Sequence, residues 1–99
     1  MSGESIEERL KTALPQLSNL SAVVKFDLGG DGHWLVDARK PQPTLAEEDG
    51  DADCTIVIST QNLEKLLDGK MDPMLAYTLG KIKVRGSMGV AMKLVSALG

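Results

Sequence analysis

The stretch Met88–Leu98 carries polar groups only on Lys93 and Ser96. A helix that is apolar nearly all round has no wet face, so it must be buried, face a membrane or line an apolar pocket. Bilayer crossing needs about 20 apolar residues, and no run in the chain approaches that. The preceding segment repeats the feature: Met74, Leu75, Tyr77 and Leu79 cover more than one narrow stripe. Apart from the initiator, every methionine (Met71, Met74, Met88, Met92) falls in this region. Methionine is unbranched and polarisable, so it adapts to varied neighbours. Ordinary core packing uses such residues too. Periodicity shows excess apolar surface here, not a cavity.

Ahead of these helices, the pattern alternates between periods. Ser5-Ile6-Glu7-Glu8 has the form of a capping box, and Ile6, Leu10, Ala13, Leu14 and Leu17 recur at helical spacing until Pro15 bends or ends the helix. Val24, Phe26 and Leu28 alternate with Lys25 and Asp27, then Gly29-Gly30-Asp31-Gly32 turns the chain, and Trp34 and Val36 resume the alternation. This is a β-hairpin. Pro41 and Pro43 restrict the next element to a short edge strand over 43–46. After the acidic loop 47–53, Cys54–Ser59 reads as a strand buried on both faces. Thr60 is placed to cap a short helix with Leu63, Leu66 and Leu67, stopped by Gly69. Asp72-Pro73 opens another that Gly80 closes. Lys81–Arg85 alternates strictly, with Ile82 and Val84 on one face. Gly86-Ser87 starts the last helix. Adjacent strands with segregated helices make an α+β fold.

With 99 residues the chain fits one domain, 1–99. The net charge of −3 excludes a general nucleic-acid footprint. Charge is uneven: residues 1–60 carry 5 Lys/Arg against 11 Asp/Glu, and residues 61–99 carry 6 against 3. The single cysteine, Cys54, and an N-terminus without signal-peptide character point to a cytoplasmic protein. Catalysis finds little to use. A nucleophile–base pair would need the lone His33 beside Cys54, yet His33 flanks a turn and Cys54 opens a buried strand. Asp49, Asp51 and Asp53 resemble a calcium loop until glycine is required where Cys54 stands. No zinc spacing occurs, and no cofactor is expected.

Several segments together resemble the sterol carrier protein 2 family: Trp34-Leu35-Val36-Asp37, Ala52-Asp53-Cys54-Thr55-Ile56, Gly69-Lys70-Met71-Asp72-Pro73, and the run Gly80–Leu94 that contains Gly-Lys-Ile-Lys-Val-Arg-Gly. The resemblance covers nearly the whole chain. It implies a five-stranded, mainly antiparallel sheet covered by helices, with an apolar tunnel between the sheet and the C-terminal helices. It also implies a non-catalytic carrier of fatty acids, fatty acyl-CoA or sterols, a monomer or weak homodimer meeting membranes or lipid-metabolising enzymes transiently. Tyr77-Thr78 stands where relatives often carry two phenylalanines, which favours flexible acyl chains over flat sterols. The chain ends at Ala97-Leu98-Gly99, without the peroxisomal Ala-Lys-Leu of many relatives.

The expected ligand-binding residues are Phe26, Leu28, Trp34, Leu66, Leu67, Met71, Met74, Leu75, Met88, Met92 and Val95, some of which must be plain core. Lys81, Lys83 and Arg85 form a basic stripe able to meet a head group, or equally a solvated strand face. The competing reading is an accessory or protein-interaction domain. In it the apolar helices form a subunit interface, and their side chains face outward as a patch instead of inward around a void.

Overall fold

The computed structural model describes residues 5–98. Helix α1 spans Ile6–Ala13. Its capping box forms, with Ser5 Oγ accepting from the Glu8 amide at 3.2 Å. Pro15 ends the α-helix without stopping the coil, because a proline near the start of a tighter helix lacks only an N–H that has no partner there. A 3₁₀ turn, Leu14–Leu17, therefore follows directly. Leu10, Ala13 and Leu17 bury the inner side of this segment.

Strands β1 (Val23–Asp27) and β2 (His33–Asp37) pair antiparallel, with Phe26 opposite Trp34. Gly29 and Gly32 take φ of 66° and 100° to reverse the chain between them. The proline-limited edge strand is β3, Thr44–Ala46, against β2. Strand β4, Cys54–Ile58, lies parallel to β1, and β5, Ile82–Gly86, closes the far edge antiparallel to β4. The spatial order is β3-β2-β1-β4-β5. One parallel pair thus sits inside an otherwise antiparallel sheet. It arises because the chain returns through the acidic loop to the free side of β1.

Register aligns side chains in rows across the sheet. Trp34, Phe26, Ile56 and Val84 form one inner row, and Val36, Val24 and Cys54 a second. The other face carries Leu35, Lys25, Thr55 and Arg85, then His33, Asp27, Val57 and Lys83. Strand β4 is therefore not buried on both faces. Cys54, Ile56 and Ile58 are buried, but Thr55 and Val57 are half-buried, because the described helices share a core only with the inner face.

Helix α2, Thr60–Leu67, is capped by Ser59, not by Thr60: Ser59 Oγ accepts from the Asn62 amide at 3.1 Å. The Thr60 hydroxyl instead donates to Asp31 at 2.7 Å, tying α2 to the hairpin turn. Gly69, at φ 72°, ends α2 with paired bonds from Gly69 N to Leu66 O and Lys70 N to Lys65 O. Helix α3, Pro73–Thr78, starts at Asp72, whose carboxylate accepts from the Met74 and Leu75 amides. Helix α4 runs Met88–Leu98. Leu10, Leu17, Phe26, Ile56, Leu63, Leu66 and Leu94 meet in one core, each worth about 1.5–3 kcal/mol of burial.

Candidate functional site

The corner between β5 and α4 is fixed by backbone. Gly86 has φ 87°, and a Cβ there would lie 2.5 Å from the Asp53 carbonyl oxygen. That oxygen accepts from the Ser87 amide at 2.9 Å. The Asp53 carboxylate accepts from the Val23 amide at 2.8 Å, so one residue ties β1, β4 and the start of α4. The Ser87 hydroxyl then accepts from the Val90 amide at 3.2 Å and launches the helix.

This corner turns Ala91 and Leu94 into the core and leaves Met88, Met92 and Val95 along the flank facing α3 and β5. Between these elements lies a cleft of about 50 Å³ whose lining surface is wholly apolar. Met74 and Tyr77 form one wall, Ile82 and Val84 the floor, and Met88, Met92 and Val95 the other wall. Among the side chains that line it, Tyr77 is 44% exposed, Met74 50%, and Met88 and Met92 45% each. A short α3 explains this. Its six residues bury only Ala76, so most of its apolar surface has nothing to pack on.

The expected ligand-binding residues divide three ways. Met74, Met88, Met92 and Val95 line the cleft. Phe26, Leu28, Trp34 and Leu66 are buried in the core, and Leu67 and Met71 pack half-buried against it. Leu75 is 56% exposed and lines no part of the cleft. Pro73, Tyr77, Ile82, Val84 and Ala91 belong to the cleft and were not among the expected residues. For Ile82 and Val84 the signal was present: strict alternation put both on the inner face of the strand beside the apolar helices. Where the resemblance implies a tunnel, the described residues form a cleft of about 50 Å³ between α3, β5 and α4. Lys81, Lys83 and Arg85 are exposed, with Lys83 and Arg85 on the outer sheet face, opposite Val84 and the cleft.

The structure does not bring Cys54 and His33 together. Cys54 is buried opposite Val24 on the inner face, whereas His33 pairs with Asp27 on the outer face. Burial, then the nearby Asp53 charge, pushes the Cys54 thiol above its ordinary value. His33 is half-buried, its Nε2 3.4 Å from Asp27 Oδ1. In the acidic loop Asp49 is engaged by Lys25 at 2.6 Å, a bond that holds its carboxyl below the usual range. Among the described residues no group of three or more His, Cys, Asp or Glu is placed to hold a metal ion. None of their helices is long and apolar enough to cross a membrane.

The fold is an α+β sheet with an apolar cleft beside its C-terminal helices, and sequence comparison supplies the class, a sterol-transfer type of domain. Residues 4–99 match the SCP-2 sterol transfer family. The chain belongs to that family. Sterol carrier protein 2 of Rattus norvegicus is 42% identical over 96 residues, which cover 94% of this chain and 18% of the rat protein. The chain thus spans about a fifth of the length of such relatives. The apo form of sterol carrier protein 2 from Yarrowia lipolytica superposes with a TM-score of 0.73 at 22% identity, covering 94% of this chain and 86% of that one. Palmitated SCP2L2 from Aedes aegypti gives 0.73 at 21% identity, covering 99% and 95%.

Proposed function

We propose that this chain is a single-domain, non-catalytic lipid carrier whose cleft between α3, β5 and α4 receives the acyl chain of a fatty acid or related lipid. The observation that carries the reading is the wholly apolar cleft surrounded by half-exposed methionines in a chain of net charge −3. Family membership supports lipid as the ligand class. So does the palmitate named for the Aedes aegypti relative, which shares the fold.

Ligand sites commonly measure about 300–1,000 Å³, so a cleft of about 50 Å³ must widen to admit an acyl chain. Helix α3 is the element that yields. It is six residues long, buries one side chain and is bounded by positive-φ glycines at Gly69 and Gly80. Moving it outward from β5 opens the cleft toward a tunnel. Each methylene taken from water then contributes about 0.8 kcal/mol before ordering costs. Phe26, Trp34 and Leu66 stay in the core, while Met74, Met88, Met92 and Val95 touch ligand.

Trp34 reports on this without modification. It lies in the inner row that ends at Val84, three strand spacings or about 14 Å from β5. Energy transfer from Trp34 to a fluorescent fatty acid in the cleft is efficient at that range. Titration of delipidated protein should give saturable quenching that unlabelled palmitate reverses. Replacing the half-exposed Met88 and Met92 by lysine should abolish it while leaving the fold intact. Absence of quenching from folded protein overturns the reading.

A second reading has its own observation. Leu75 and Leu79 face outward beyond the cleft, as a subunit or enzyme interface would require. Sedimentation would then show a concentration-dependent dimer that dissociates when Leu75 and Leu79 are replaced by serine.

A further inference from the structure

The cleft offers no polar group to the charged end of an acyl ligand, and the basic stripe of β5 lies across the sheet from it. Past Met92 the situation changes. The 3₁₀ turn and the residues after it face α4 across an open groove of about 390 Å³, within the size range of ligand sites. Leu17, Leu20 and Ala97 supply apolar surface, and Gln16, Asn19, Lys93 and Ser96 the polar groups. Met92 lines both the groove and the cleft.

Met88, Met92 and Ser96 follow at four-residue intervals, so they form one continuous ridge along α4. Eight residues of helix make that ridge about 12 Å long. It begins in the cleft and ends in the groove beside Lys93. Among the described residues Lys93 has no carboxylate within ion-pair distance. Arg9 lines a neighbouring pocket that shares Gln16 with the groove. Arg9 is already held by Asp68 and the Glu64 carbonyl.

Resting on the lipid-carrier reading, we propose that the groove between the 3₁₀ turn and α4 is the head-group site for a free fatty acid. The Lys93 ammonium donates to the carboxylate, with the Ser96 hydroxyl and the Asn19 amide beside it. The acyl chain follows the α4 ridge over Met92 into the cleft. The site selects a compact anion at the end of the chain and makes no use of Lys81, Lys83 or Arg85.

The test compares dodecanoate with dodecanol, which share a tail and differ in charge, as competitors for a neutral fluorescent alkyl probe. Dodecanoate should bind about fivefold more tightly at low salt, and the margin should shrink as ionic strength rises. Lys93→Gln should erase the margin, and Lys83→Gln should keep it. Equal affinities for the two ligands in the unaltered protein overturn the head-group site. So does a margin that survives Lys93→Gln or disappears with Lys83→Gln. If neither dodecanoate nor dodecanol displaces the probe, the carrier reading itself falls, and that result is distinct from equal binding of both.

Discussion

Replacing Gly86 with alanine attacks the cleft at its corner instead of its lining. The residue holds φ at 87°, in the left-handed region, where a side chain costs about 1–2 kcal/mol. The added Cβ would also meet the Asp53 carbonyl oxygen at 2.5 Å. Both partners are backbone, so relief requires β5 to move from the residue preceding β4. That movement stretches the 2.9 Å bond from the Ser87 amide to the same oxygen, which is worth about 1 kcal/mol. The sum is about 2–3 kcal/mol, a large share of the roughly 5–15 kcal/mol that such domains possess. Gly69 provides the control. Its φ of 72° is similar, but nothing lies within 4 Å of its Cβ position. Gly69→Ala should therefore cost only about 1–2 kcal/mol, the conformational part. Urea unfolding followed by Trp34 fluorescence reads both variants, with the midpoint falling and the slope unchanged. Gly86→Ala should lose about twice as much as Gly69→Ala. Equal losses would refute the claim that backbone contact with Asp53 sets this corner.

Affinity for saturated fatty acids should rise by up to about fourfold per methylene, the equivalent of 0.8 kcal/mol, and then level off once cleft and groove are full. Calorimetric titration of a chain-length series measures this, and a flat series contradicts acyl burial. Cys54 should resist a thiol reagent at neutral pH until denaturant is added, because burial both shields the thiol and raises its pKa. Fast labelling of the native protein would count against the burial of β4. Asp37 is held at a pKa of about 2, chiefly by hydrogen bonds from Arg39. A depressed folded pKa stabilises above the unfolded value, about 3.9, and is lost as pH falls toward 2. The stability gap between the protein and Asp37→Asn should therefore narrow from pH 5 to pH 2. The exposed pair makes the gap small, and a gap that widens in acid reverses the assignment.

Most of the fold was legible because its signals are local. The hairpin announced itself by alternation on either side of Gly29–Gly32, and each short helix by a cap and a terminating glycine. Pairing between distant segments was not legible. Alternation says that Cys54–Ile58 is a strand, yet nothing within it specifies β1 as a parallel neighbour. Its β-branched run suggested burial on both faces. The structure buries one, since Thr55 and Val57 find no described helix above them. The cap of α2 slipped by one residue for a similar reason. Ser59 and Thr60 are both good caps, and only the tertiary bond from Thr60 to Asp31 separates their roles.

The site was harder because core and ligand pocket draw on the same apolar residue types. Trp34, Phe26, Ile56 and Val84 are chemically alike and share one row, yet only Val84 lines the cleft. What distinguishes it is position: β5 is the edge strand, and the helix beside it is the six-residue α3. An edge strand under a short helix is where a sheet's inner face is least completely covered. Residues from Met74 to Val95 converge there because of strand order, a property that no local pattern encodes. The same logic separates the lysines. Alternation places Lys83 on the outer face whatever the neighbours, so the basic stripe and the apolar cleft share one strand without sharing a site. Lys93 carries an identical charge but sits on a helix whose flank turns past Met92 toward Leu17 and Leu20. Helical geometry, not basicity, brings it to the groove.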